Sequence, residues 1–174
     1  MNKKLIKASG ILLVLVGAAQ LVLTYFGFNA YQLLLEHNRA YFETNSIDPS
    51  TWNIIWLLHD TWILGLAALL AGILIFWHSI YTWSFFLATC ITLLIDSGIS
   101  LYQYQFRKIE VAELGIAQYE NLILMVWIIP LVVSILGLAI ALNKVELKSL
   151  PTAPKKWYYS LAMTIILITL VFIV

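Results

Sequence analysis

The chain has 174 residues, 62% of them hydrophobic and 11% charged, with a formal net charge of +1. Soluble domains carry about 45–50% apolar and about 25% charged residues, so the composition excludes an ordinary water-soluble domain, and no basic block suggests nucleic-acid binding. A single cysteine, Cys90, excludes an internal disulfide and any CxxC redox or zinc motif.

Several apolar stretches reach the ~20 residues that cross a ~30 Å hydrocarbon core. The expected fold class is all-α: a polytopic membrane bundle of five transmembrane helices with a short amphipathic helix on the outer surface. It is read as a single domain over residues 1–174.

The first span is expected at residues 8–28, behind Lys3, Lys4 and Lys7. The opening "MNKKLIK" would also suit a signal peptide. The run "ILLVLVGAAQLVLTYFGF" exceeds the 7–15 residues of a signal core, so a retained anchor is expected. Gln20 is its one strongly polar residue, and Ser9, Gly10 and Gly17 would let a neighbour approach closely. In "NAYQLLLEHNRAYFETN", Tyr31, Leu34, Leu35, Tyr41 and Phe42 recur at helical spacing. They predict an amphipathic outer helix over about 30–43.

The second span is expected at 49–77, with Asp48 as capping residue and Pro49 at the first helical position. Within it, "WLLHDTW" sets His59 and Asp60 between tryptophans. Thr61, Gly65, Ala68 and Gly72 form a small-residue stripe suited to close helix packing. Asp60 borders that stripe, which is expected to face the third span. His59 lies nearly opposite, toward headgroups or another helix.

The third span is expected at 80–105, after an inner turn of a few residues. Thr89, Thr92, Asp96, Ser100 and Gln103 follow steps of 3, 4, 4 and 3, a single polar stripe. Counting from the turn at ~1.5 Å per residue, Asp60 and Asp96 both stand roughly 26–28 Å above it. They are therefore nearly level, near the outer edge of the hydrocarbon core.

The fourth span is expected at 120–143, starting at Glu120. Trp127, Pro130, Ser134, Gly137 and Ala141 form its stripe, and Pro130 should free a carbonyl and bend the helix. The fifth is expected at 156–174. Lys3, Lys4, Lys7, Lys144, Lys148, Lys155 and Lys156 then share one side, against Arg39, Arg107 and Lys108 on the other. By the positive-inside rule the N-terminus is cytoplasmic and the C-terminus outside, in a plasma membrane. Trp52, Trp56 and Trp62 suit the outer interface, and Trp77, Trp83 and Trp157 the inner one.

These stripes predict an outward-opening polar pocket between the second, third and fourth spans. Asp60, Asp96 and Glu120 would form its mouth, Thr92 and Thr89 its floor, with Trp56 and Trp127 alongside and the outer helix as lid. Two carboxylates within reach of each other would hold a proton or a cation. The alternatives are two independent interfacial acids, or a basic partner, Arg107 or Lys108, folded back onto Asp96.

The expected function is a binding or accessory protein for a lipid, small amphiphile or cation. An enzyme using Asp60, Asp96 or Glu120 as acid and base is an alternative, as is a carrier complete only as an oligomer. No HExxH or GxSxG motif occurs, and no metal and no cofactor is expected. The expected partners are the bilayer, a lipid or amphiphilic ligand, and a second copy or a larger membrane complex, with no nucleic acid.

Overall fold

Leu, Ile, Ala and Met fill long runs of this chain, and Pro130 lies inside a helix. Such runs favour helix. The computed structural model describes residues 3–37, 55, 58–77, 80–113, 120–142 and 153–172. Among these residues the chain forms five helices: α1 (Lys3–His37), α2 (His59–Leu74), α3 (Ile80–Glu113), α4 (Glu120–Ala141) and α5 (Ala153–Phe172). The fold is all-α, as the sequence led one to expect.

Among the described residues two segments are long and apolar enough to cross a membrane: Ile6–Leu33 in α1 and Tyr81–Tyr104 in α3, with mean hydropathies of 2.2 and 1.7. His59–Leu74, Met125–Ala141 and Trp157–Phe172 are apolar but shorter. Length and composition therefore support two spans, not the five expected.

Helix boundaries differ from expectation in two places. α1 runs unbroken to His37, so residues 30–37 extend the first helix and do not begin a separate surface helix. No proline or glycine follows Gly27 there to break it, and the His37 ring bonds the Leu33 carbonyl at 3.0 Å inside the last turn. The rest of the proposed lid, residues 38–43, lies outside the described residues. α2 begins at His59, with Leu58 at its N-cap making no side-chain capping bond. The Asp48-Pro49 start also lies outside the described residues.

The helices alternate in direction. Gly10 of α1 packs on Gly72 of α2, and Gly17 on Gly65, in antiparallel register. A Cβ on Gly17 would stand 2.5 Å from the Leu69 nitrogen and 2.6 Å from the Gly65 carbonyl oxygen, so only glycine permits this backbone approach. Ile6, Ser9, Ile75, Trp83, Phe86, Ile140 and Ala141 meet around one small cavity. That gathers the start of α1, the end of α2, the start of α3 and the end of α4 at one level. The start of α5 joins them through two edge-on ring pairs, Trp83–Trp157 at 5.8 Å and Tyr81–Tyr159 at 5.1 Å.

α3 is the most enclosed helix. Trp83, Phe86, Leu87, Ala88, Thr89, Cys90, Thr92, Leu93, Asp96 and Ser97 are all buried, covering every side of it. It packs on α2, α4 and α5, while α1 lies against α2 and α4. α5 sits on α3 and α2, burying Ser160, Thr164, Leu167 and Val171 at steps of 4, 3 and 4.

Candidate functional site

The hairpin between α2 and α3 sets the height of the two aspartates. Ile75 and Trp77 close it with bonds to the Ala71 and Leu74 carbonyls, and Thr82 donates to the Trp77 carbonyl at 3.1 Å. Asp60 lies about 21 Å along α2 from Leu74, and Asp96 about 24 Å along α3 from Ile80, at 1.5 Å per residue. The acids thus stand at similar heights at the end opposite the aromatic pairs.

Asp60 occupies the first turn of α2, where a negative charge complements the helix dipole. Its Oδ1 accepts the Thr61 backbone N–H at 2.7 Å and the Thr61 hydroxyl at 3.2 Å. Leu64, Ala67 and Ala71, at steps of 4, 3 and 4 from Asp60, are all buried. Asp60 therefore tops the inward face of α2. The small-residue stripe of Gly65 and Gly72 lies on a different face. It was expected to meet α3; it meets α1 instead, because α1 carries glycines at the same seven-residue spacing.

Asp96 is only 6% exposed. Among the described residues no hydrogen-bond donor serves its carboxylate, and Asp60 lies close enough for the two charges to act on each other. On the same stripe of α3, the Thr92 hydroxyl donates to the Ala88 carbonyl at 3.0 Å and that of Thr89 to the Phe85 carbonyl at 2.9 Å. Both are fully buried. Ser100 is half-buried and Gln103 exposed, so the stripe surfaces beyond Asp96. The structure thus places Asp60 and Asp96 at similar heights on neighbouring helices, with Thr92 one turn below Asp96.

The other expected members are placed as follows. Trp127 is half-buried on α4, three residues before the buried Pro130. Glu120 begins α4, but its side chain lies outside the described residues, as do Trp56, Arg107 and Lys108. α2 and α4 stand across the bundle from each other, with α1 and α3 between them. A pocket bounded by α2, α3 and α4 would therefore have α1 as a further wall. Among the described residues no three His, Cys, Asp or Glu side chains group as metal ligands.

Three features add to the sequence reading, the first of them placing His59 toward another helix rather than headgroups. The His59 Nε2–H donates to the Val171 carbonyl at 3.0 Å, tying the start of α2 to the last turn of α5. A cavity of about 490 Å³, lined by Leu21, Thr24, Tyr25, Phe28, Ile55, Leu58 and Trp62, opens between α1 and α2. Its α2 wall, Leu58 and Trp62, is nearly opposite Asp60 at 100° per residue, so one small ligand does not bridge cavity and acids. The third is Gln20, whose buried Oε1 has no hydrogen-bond partner. The sequence marked His59 and Gln20 as polar within apolar runs, but partners across helices leave no local signal. Comparison of the chain with protein-family models, curated proteins and solved structures finds no match.

Proposed function

We propose that this is a five-span protein of the plasma membrane, N-terminus cytoplasmic and C-terminus outside, that binds a singly charged cation between Asp60 and Asp96 at its outer end. The cation is an inorganic ion or the ammonium head of a small amphiphile. Membrane placement is supported by the large aliphatic side chains left outside and the hydroxyls held inside, beside a core that includes Leu13, Leu64, Leu87 and Leu93. Ile11, Leu15, Leu66, Leu70, Ile128, Val132, Leu161 and Ile165 are exposed, while Ser84, Thr89, Thr92, Ser97 and Ser134 are fully buried. Water would drive the opposite arrangement. Lipid tails are as apolar as leucine and favour small and hydroxylated residues between helices. The alternating helix directions and the lysines at one end support the orientation.

The observation that carries the binding role is Asp96: only 6% exposed, and at the height of a second acid on the neighbouring helix whose charge acts on it. A charge removed from water needs a partner. Two carboxylates close together in a low-dielectric interior repel unless a proton or a cation lies between them. A cation answers both requirements.

The test is calorimetric titration of the purified protein with sodium chloride and, separately, with dodecylammonium chloride. Saturable binding is expected in at least one arm, and which arm responds separates a free ion from an amphiphile's head. Asp96→Asn should weaken it by about tenfold or more, the order expected for losing a charge-assisted contact. Absence of saturable binding in both arms, or unchanged binding by Asp96→Asn, would contradict the proposal.

A further inference from the structure

The hydroxyls of Ser9, Thr89, Thr92, Ser134 and Thr164 each donate to a carbonyl three or four residues earlier, the usual recourse of such side chains in helices. Gln20 and Ser97 differ. Gln20 is 5% exposed and Ser97 fully buried, and among the described residues neither Gln20 Oε1 nor Ser97 Oγ has a hydrogen-bond partner. Oxygens left unpaired away from water are costly.

The two stand at one level inside the bundle. On α1, Ile6, Ser9, Leu13 and Val16 lead in steps of 3, 4, 3 and 4 to Gln20, and all are buried. On α3, Phe86, Cys90 and Leu93 lead in steps of 4, 3 and 4 to Ser97, again all buried. Both stripes start at the small inner cavity, which Ile6 and Ser9 line together with Phe86, and run through one apolar core. Gln20 is roughly 16–21 Å along α1 from Ser9 and Ile6, and Ser97 is roughly 16–21 Å along α3 from Phe86 and Trp83, at 1.5 Å per residue. Asp96 is the next residue to Ser97, and Asp60 lies about 22 Å along α2 from Ile75, the α2 residue of that cavity. Beside Gln20 at this level are Gly65 of α2 and Pro130 of α4. Neither has a side-chain donor, and proline has no N–H.

Two neutral oxygens and two carboxylates therefore fall in one layer, and an all-oxygen set suits a hard metal ion. An amphiphile's chain has no room beside them. Gln20 borders an apolar groove of about 190 Å³ between α1 and α4, but its Oε1 is closed off from it. The larger α1–α2 cavity lies nearly opposite Asp60 on α2.

We propose that the cation held by Asp60 and Asp96 is a bare monovalent metal ion, with Gln20 Oε1 and Ser97 Oγ as its neutral ligands. Half-buried Asp60 leads to it from the outer end. The proposal rests on the acid-pair reading above and adds the class of ion and two ligands.

The experiment is calorimetric titration of the full chain in detergent with sodium chloride, at an ionic strength held by choline chloride. It is run on the wild type, Gln20→Leu and Ser97→Ala, and on the wild type with dodecylammonium chloride present. Each variant should bind sodium about tenfold more weakly, the order of one lost contact to a charge. Dodecylammonium should leave the sodium affinity unchanged. In the wild type the ¹³C signal of the Gln20 side-chain carbonyl should shift with sodium along the calorimetric curve, which keeps the test decisive if Gln20→Leu does not fold. Unchanged sodium affinity in either folded variant, a Gln20 signal indifferent to sodium, or displacement of sodium by dodecylammonium would overturn the proposal. The acid pair would still stand if Asp96→Asn weakened binding in the same titration. Binding of dodecylammonium but not of sodium would likewise overturn this proposal alone; binding of neither would remove the acid-pair reading with it.

Discussion

Thr92 and Asp96 lie one turn apart on the same stripe of α3, yet their oxygens are differently placed. The threonine is short enough to return its hydroxyl to the Ala88 carbonyl. A carboxylate is an acceptor only, and the carbonyls of its own helix offer it nothing. The polar stripe therefore reduces, in chemical terms, to Asp96. His59 is the neighbour of Asp60 in sequence but not in function, since its ring reaches the Val171 carbonyl on α5. A helix's last carbonyls lack intrahelical donors, so His59 supplies one from another element. Replacing it, as His59→Phe, should cost about 1 kcal/mol, the usual net value of one hydrogen bond. Hydrogen exchange should quicken in the last turn of α5, while the α1–α2 contact at Gly17 keeps its protection. Unchanged exchange near Val171 would show that the bond does not hold α5.

At the scale of elements, the glycines decide which helices become nearest neighbours. Gly10 and Gly17 on α1 repeat at the interval of Gly65 and Gly72 on α2, and in antiparallel register both pairs close at once. This spacing was legible in the sequence, as was the small-residue stripe on α2. Its partner was misread because a stripe shows that something approaches, not what; only the matching interval on α1 identifies it. Gly17→Val would force a side chain into the Gly65 and Leu69 backbone. It should destabilise the bundle by about 1–3 kcal/mol, as overpacking does, measured by denaturant unfolding in detergent. A stability equal to wild type would mean that the α1–α2 contact is loose. The helical runs and the alternation of directions were also readable, because apolar length and short inner turns are local properties. The end of α1 was not, although Ala30 favours a helix and Asn29 only mildly opposes one, because the amphipathic spacing from Tyr31 onward reads equally as a new helix. The Ser160, Thr164, Leu167 and Val171 seam of α5 was present as steps of 4, 3 and 4. It was hidden among residues equally apolar on every side.

For the molecule as a whole, the arrangement among the described residues is a bundle with hydroxyls and small residues inside beside Leu13, Leu64, Phe86, Leu87 and Leu93, further large aliphatic side chains outside, and two acids at one end. Lys3, Lys4 and Lys7 in the first turns of α1 and Lys155 and Lys156 in the first turn of α5 belong to the other end. If that end is cytoplasmic, a membrane-impermeant maleimide applied to intact cells should label Asn45→Cys and not Lys148→Cys, in a Cys90→Ala background. Labelling of both from the same side would refute the five-span topology.

The similar heights of Asp60 and Asp96 were inferred from the short turn alone, and the structure adds that Asp96 is buried and within electrostatic reach of Asp60. Whether they act as one site is a question of coupling, which a double-mutant cycle measures directly. Cation binding would be titrated for the wild type, Asp60→Asn, Asp96→Asn and the double variant. If one cation sits between the two carboxylates, either single replacement should cost about as much affinity as both together. Losses that simply add, or binding that survives in the double variant, would show two independent acids and contradict the account.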